Sequence, residues 1–176
     1  MKSIRTLLVL VLAGLVLTSC GASYQEAKAQ RKAAQEAERQ ANVAALENCD
    51  FLLEVTTIIP RGYPSRSSTG EYKLRLKKDI VDTRLPFIGD SHDAAYGTDE
   101  ISIVFKHEKV ALIKDFADAA KGEYRYQFKG GEGPSKWTVS ILVYDNGAAI
   151  INCANSGGRF MSYNAILAQP RDEEQE

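Results

Sequence analysis

From Phe51 to Leu167 the sequence consists of short runs in which apolar and polar residues alternate, separated by residues that favour turns. Tyr72–Lys77 shows the two-residue period of a strand with one buried face. Asp145-Asn146-Gly147, between two such runs, is a strong hairpin signal. Because no long helical segment connects the runs, we predict an all-β domain over residues 49–169. It would be a single antiparallel up-and-down β-barrel of about 8–9 strands, with a β-sandwich as the alternative.

One strand pair is predicted from its order in the chain. Ile101, Ile103 and Phe105 fall on one face of a run, and Val110–Phe116 follows after a short turn at His107–Lys109. Consecutive strands joined by short turns usually lie side by side. We therefore expect Val110–Phe116 to pair with the strand that precedes it.

The first 19 residues have the composition of a signal peptide. Lys2 and Arg5 precede an apolar run from Leu7 to Leu17, and a small residue precedes Cys20. The run is shorter than the roughly 20 helical residues that cross about 30 Å of hydrocarbon. We expect residues 1–19 to be removed, leaving no membrane-spanning helix.

Leu17-Thr18-Ser19-Cys20 resembles the lipobox of bacterial lipoproteins. The resemblance implies cleavage before Cys20, a diacylglycerol on its sulfur and a further acyl chain, such as palmitate, on its nitrogen. Several chains anchor a protein far more firmly than one. Gly21, in place of the Asp that holds many lipoproteins in the inner membrane, implies the outer membrane, facing the periplasm. The alternative is an ordinary signal peptide followed by an incidental cysteine.

The charge of the chain argues against nucleic acid as a partner. Removing residues 1–19 leaves 20 basic and 23 acidic residues, a net charge of −3. Nucleic-acid-binding domains instead carry clustered positive charge.

Two cysteines remain once Cys20 is assigned to the anchor. Cys49 and Cys153 would lie in the oxidising compartment that an exported protein enters. A disulfide between them would close a loop of roughly 100 residues and stabilise the fold by up to about 4–5 kcal/mol. A disulfide and two buried free thiols both remain open from sequence, because no Cα distance is known.

The segment from Tyr24 to Asn48 is rich in Ala, Glu, Gln, Lys and Arg, which predicts a helix. Its apolar face is nearly all Ala until Val43 and Leu46, so it has little area to bury. We assign residues 20–48 to the lipid anchor and a solvated helical linker. A coiled coil would need larger residues at its core positions. Residues 170–176 form an acidic tail.

Four short motifs in the domain resemble those of one family. They are Leu85-Pro86-Phe87-Ile88-Gly89, Tyr96-Gly97, Asn146-Gly147-Ala148-Ala149 and Ser162-Tyr163-Asn164-Ala165-Ile166. This pattern is similar to that of the Bacteroidota lipoproteins grouped as DUF4251, a domain of unknown function, over about Asn48 to Leu167. The resemblance implies a lipocalin-like meander with an interior cavity. It implies no activity, because none is established for the family.

Aromatic residues are the candidates for a ligand pocket in such a barrel. Phe87 and Tyr96 flank the longest polar loop, and Tyr124, Tyr126 and Trp137 would line one face of adjoining strands. In a lipocalin-like barrel these five side chains could bind a small apolar ligand or a lipid. The alternative is that the rings fill the core, where strand aromatics usually lie.

The sequence shows no motif for catalysis, a metal or a cofactor. His107-Glu108 begins like a zinc-protease helix, but Ala111 stands where the second His would be. His92 and His107 are the only histidines, and no cluster gives them metal-ligand spacing. We therefore predict a protein that is not an enzyme and has no metal or cofactor.

Three hypotheses remain open for the function. The first is a binding module for an apolar ligand, and the second is an accessory protein with a filled core that acts through unknown protein partners. The third is an enzyme of unrecognised type. A basic stripe is formed by Lys73, Arg75, Lys77 and Lys78. It could also contact anionic lipid, although such stripes are usually solvated strand faces.

Overall fold

The computed structural model describes residues 2–68, 71–88, 102–131 and 136–168. A helix, α1 (Lys2–Glu47), precedes the sheet, as predicted. By its contacts the chain divides into two compact units, one ending at Glu38 and the other beginning at Arg39. The second unit therefore includes helical turns that the sequence assigned to the linker. Within the described residues, no helix combines the length and the apolar composition needed to cross a membrane.

Within the described residues, ten strands follow α1 and form one antiparallel sheet. They are β1 (Asp50–Pro60), β2 (Arg66–Ser67), β3 (Lys73–Lys77), β4 (Ile80–Pro86), β5 (Ser102–Lys109), β6 (Ile113–Asp115), β7 (Glu123–Gly130), β8 (Trp137–Tyr144), β9 (Ala148–Asn155) and β10 (Phe160–Ala168). A short 3₁₀ helix, Ala119–Lys121, lies between β6 and β7.

The strands lie in the order β5-β4-β3-β1-β10-β9-β8-β7-β6, with the two-residue β2 paired to β1. Apart from β2, neighbours in the sheet are consecutive in the chain, and β1 pairs with the last strand, β10. This is the order of an up-and-down barrel interrupted at one seam, between β5 and β6. The sheet forms a half-barrel, which confirms the predicted all-β fold with a preceding helix.

Alternation along the strands decides which side chains face inwards. In β7 every second residue from Tyr124 to Gly130 is buried, whereas Arg125, Gln127 and Lys129 are exposed. In β8 the pattern is the same, with Trp137, Val139, Ile141 and Val143 inside. Inward residues of all the longer strands form one apolar cluster, so the sheet curls around a single core.

The predicted partner of β5 is wrong. β6 contains only Ile113–Asp115 and pairs with β7. The N–H of Val110 donates to the carbonyl of Asp79, at the turn between β3 and β4, over 2.8 Å. β5 therefore continues beside β4 through His107–Lys109, where the sequence predicts a turn. A bulge shifts the β4–β5 register between Val81 and Thr83, and His107 there has a φ of 50°.

Side chains close the seam between β5 and the end of β7. The rings of Phe105 and Phe128 are 5.9 Å apart in an edge-to-face arrangement. The carboxylate of Glu108 accepts the N–H of Gly131, at 3.0 Å and 3.3 Å to its two oxygens. This contact is charge-assisted, because a carboxylate meets a backbone donor.

We expect Glu108→Ala to lower the free energy of unfolding by about 1–3 kcal/mol, since the Gly131 N–H loses a charged acceptor in a partly buried site. Glu108→Gln keeps an acceptor oxygen and should cost about half as much. Urea denaturation measures both, with the exposed Lys106→Ala as the control. Equal stability of Glu108→Ala and Lys106→Ala would contradict this account of the seam.

The last turns of α1 pack against the half-barrel within the second unit. Leu46 is fully buried, and its carbonyl accepts the Tyr126 hydroxyl over 2.7 Å. Asn42 donates to the carbonyl of Asp145 over 3.1 Å, and the Arg39 guanidinium lies 3.2 Å from the Asp145 carboxylate. The last turns of α1, a helix predicted to have little apolar area to bury, thus cover one end of the core.

Candidate functional site

Two of the five predicted pocket residues lie within the aromatic core. Tyr124 and Tyr126 are 3% and 2% exposed. The ring of Phe116 lies 5.3 Å from Tyr124 and 5.5 Å from Tyr126, and Phe51 lies 5.1 Å from Tyr126. At these separations the rings are in mutual contact. In the described residues Tyr124 and Tyr126 are therefore part of the apolar core.

Two further predicted pocket residues, Phe87 and Trp137, lie at the opposite end of the half-barrel. Trp137 pairs in register with Gly130, whereas Tyr124 pairs with Val143, near the far end of the same two strands. The rings of Phe87 and Trp137 are 5.4 Å apart. Tyr96 lies outside the described residues. The structure therefore brings together Phe87 with Trp137 and Tyr124 with Tyr126, but not all four.

A tyrosine that the sequence did not single out as a site crosses the interior. Tyr163 of β10 is fully buried, and its hydroxyl donates to the carbonyl of Pro86, at the end of β4, over 2.6 Å. β3 and β1 lie between β4 and β10 in the sheet, so this bond runs across the curled sheet. Burial raises the pKa of Tyr163, with a smaller rise from Cys153, so the hydroxyl remains a donor.

This bond joins two of the motifs that carry the family resemblance, Leu85-Pro86 and Ser162-Tyr163. A third motif builds the β8–β9 hairpin: the Asn146 side chain accepts the N–H of Ala148 over 3.0 Å, and Gly147 adopts a φ of 87°. The Gly147 carbonyl also accepts the N–H of Leu167 over 2.7 Å. In the described residues these three motifs therefore make hydrogen bonds within the fold.

Cys49 and Cys153 are both buried free cysteines, so the disulfide considered from sequence is not formed. Cys153 pairs with Met161, which pairs with Pro60 at the end of β1, whereas Cys49 precedes the start of β1. About ten residues of strand, at about 3.3 Å each, span roughly 30 Å. A disulfide requires Cα atoms within about 7 Å. The strand register therefore separates the two cysteines.

Burial raises the pKa of the Cys153 thiol to about 12, so the reactive thiolate is scarce at neutral pH. We expect a Cys20→Ser variant to resist iodoacetamide at pH 8 while folded. It should take up two labels in denaturant without reductant, which intact mass spectrometry measures. A denatured chain that takes up labels only after reduction would contradict the register given above.

His107 and Glu108 do not form a catalytic pair. His107 Nδ1 lies 3.2 Å from the Asp82 carboxylate on the outer face, whereas Glu108 binds the Gly131 N–H at the seam. The left-handed conformation of His107 at the bulge turns the two side chains to different partners. His92 lies outside the described residues, within which no group of three or more His, Cys, Asp or Glu is placed to hold a metal ion.

The basic stripe on β3 is partly neutralised. Lys73 lies 3.4 Å from the Glu54 carboxylate, and Arg75 pairs with Asp50. Both acids are on β1: Glu54 lies directly opposite Lys73, and Asp50 lies two residues from the position opposite Arg75. Cross-strand charge pairing of this kind is typical of a solvated sheet face.

The described residues define a class of protein: an antiparallel half-barrel with aromatic side chains packed in its core, one end of which is covered by a helix. The family model described as "Domain of unknown function (DUF4251)" matches residues 32–166. The chain belongs to the DUF4251 family. The match begins within α1, which agrees with the packing of Asn42 and Leu46 against the sheet.

A solved structure supports the same fold. The crystal structure of a DUF4251 family protein from Bacteroides eggerthii DSM 20697 is similar to this chain with a TM-score of 0.51 and 14% identity. The alignment covers 76% of this chain and 90% of that chain. No curated protein matches the chain.

Proposed function

We propose that the protein is a non-catalytic lipoprotein of the cell envelope that acts through the outer surface of its half-barrel. In this proposal the lipid on Cys20 anchors it at the outer membrane, facing the periplasm. The lipobox Leu17–Cys20 and the signal-peptide composition of residues 1–19 support the anchor. The DUF4251 family carries no catalytic description.

One observation favours the outer surface over an enclosed ligand. The Tyr163 side chain spans the interior to Pro86, and the Tyr126 side chain reaches Leu46 at the other end. Small-molecule sites need a concave space of a few hundred Å³ with a few free polar groups. Both tyrosine hydroxyls already donate to backbone carbonyls, so neither can donate a hydrogen bond to a ligand in the core.

The anchor is tested by metabolic labelling with an alkyne-bearing fatty acid. The wild-type chain should incorporate the label and partition with membranes, and Cys20→Ser should lose both properties because no other residue is a lipobox cysteine. Cys153→Ser serves as the matched cysteine control and should still be labelled. Membrane retention of an unlabelled Cys20→Ser chain would overturn the lipid anchor.

The filled core is tested by native mass spectrometry. The full chain carrying Cys20→Ser is treated with a delipidating resin under native conditions and then weighed before and after denaturation. We expect the bare mass in both states, because a ligand on the surface exchanges to the resin. A non-covalent adduct that survives the resin and disappears on denaturation would show an enclosed ligand and overturn the proposal.

A further inference from the structure

An open groove lies on the outer side of the half-barrel, where the end of β1 meets the β9–β10 turn. It encloses about 510 Å³, which falls in the range of small-molecule sites. Its apolar residues come from three neighbouring strands: Ile59 and Pro60 from β1, Ala154 from β9 and Phe160 from β10. Phe160 is 38% exposed, which is high for a large apolar side chain on a sheet.

Two arginines from separate turns line this groove. Arg61 follows β1 in a turn in which Gly62 has a φ of 81°, and Arg159 follows Gly158, with a φ of 79°, in the β9–β10 turn. The guanidinium of Arg159 lies 5.7 Å from the centre of the Phe87 ring, and such a cation–π contact restricts its position. The Asn155 side chain holds the second turn by accepting the Arg159 N–H over 3.0 Å.

The charged side chains that line the groove, Arg61 and Arg159, are both positive. Both arginines are exposed, and no salt bridge joins either guanidinium to a carboxylate in the part of the chain that is described. By contrast, Lys73 and Arg75 on the neighbouring outer face each have an acidic partner. A second hollow, on β6 to β9, contains Asp115 as well as Arg125 and so presents both signs.

We infer that this groove binds a single-chain amphiphile with an anionic head. The guanidinium groups offer planar forks that match carboxylate or phosphate oxygens, and the apolar strip from Ile59 to Phe160 would cover the alkyl chain. The volume suits one chain rather than several. This inference goes beyond the proposed function and concerns the outer surface only, so it holds whether or not Cys20 carries lipid.

The test is calorimetric titration of the full chain carrying Cys20→Ser with four twelve-carbon probes below their micelle concentrations. Dodecanoate and dodecyl phosphate carry the two anionic heads, dodecyl maltoside is neutral and dodecyltrimethylammonium is cationic. We expect at least one anionic probe to bind about tenfold or more tightly than the neutral and cationic ones. The tighter of the two anions identifies the head group.

Substitutions then locate the site. Arg61→Gln with Arg159→Gln should weaken the anionic probe about tenfold or more, and Phe160→Ser should weaken it without changing the preference for an anion. The exposed Lys106→Gln with Lys114→Gln, on the two edge strands β5 and β6, is the matched loss of two charges and should change affinity less than twofold. Thermal melting confirms that each variant is folded.

Three outcomes overturn the inference: no binding of either anion, equal binding of all four probes, or anion binding that the double arginine substitution leaves unchanged. None of these outcomes changes the mass expected for the protein after treatment with the delipidating resin. Failure of this inference can therefore be distinguished from failure of the filled-core proposal.

Discussion

Leu46→Ala is expected to lower the free energy of unfolding by about 2–5 kcal/mol, although the residue belongs to a helix that the sequence presents as a linker. Leu46 is fully buried within the core cluster beside Cys49. Truncating a buried leucine loses its transfer free energy and leaves a cavity that the surrounding residues fill only in part. Urea denaturation followed by circular dichroism measures the change.

Two companion variants separate packing from hydrogen bonding at this end of the core. Glu47→Ala alters the next, exposed residue and should stay within about 0.5 kcal/mol of wild type. Tyr126→Phe removes the hydroxyl bound to the Leu46 carbonyl and should cost about 1 kcal/mol, because that carbonyl keeps the Cys49 N–H as a donor at 2.9 Å. A Leu46→Ala variant as stable as Glu47→Ala would show that the helix does not contribute to the core.

Gly130→Ala is expected to destabilise the fold by about 1–3 kcal/mol, since it overpacks a filled core. A Cβ at this position would lie 2.5 Å from Cε1 and 2.8 Å from Cδ1 of Phe105. Phe105 is 1% exposed and packs against Phe128, so its ring cannot simply move aside. Where the backbone permits it, Gly→Ala normally stabilises a protein, because it lowers the conformational entropy of the unfolded chain. A loss of stability at Gly130 would therefore indicate a steric clash in the folded state.

Gly157→Ala is the matched control, because the nearest atoms to a Cβ there would be those of the Asn155 side chain at 3.4–3.9 Å, which are ordinary contacts. It should be neutral or slightly stabilising. Phe105→Leu in the Gly130→Ala background should recover part of the loss, because a smaller side chain makes room for the added methyl group. If the losses of unfolding free energy from the two single substitutions simply add in the double variant, the residues at 130 and 105 do not compete for space.

Most of the sheet could be predicted from alternation. The prediction of β7 and β8 is correct because apolar and polar residues alternate without interruption over Tyr124–Phe128 and Trp137–Val143. A two-residue period of this kind leaves one choice of buried face. The β5–β6 pairing failed because the bulge at His107 carries no sequence signal: neither Gly nor Asn marks the left-handed residue. Chain order alone then suggested a hairpin that the Val110 hydrogen bond prevents.

The candidate sites were less predictable than the strands, because they depend on contacts between distant residues. Phe87 and Trp137 do meet, but a sequence cannot show that Tyr163 crosses the interior to Pro86. Arg61 and Arg159 lie in turns that are far apart in the sequence, and only the pairing of β1 with β10 and of β10 with β9 brings these turns to one groove. Exposed arginines in turns are common, so neither residue was singled out.

The pairing of β1 with β10 has a consequence for the order of folding. β1 is the first strand made and β10 the last, yet they lie side by side near the middle of the sheet. β1 therefore lacks one of its two long neighbours until nearly all of the domain has been synthesised, and contacts between such distant segments slow folding. We expect such a chain to complete its fold only once its C-terminal strand, β10, is available to pair with β1.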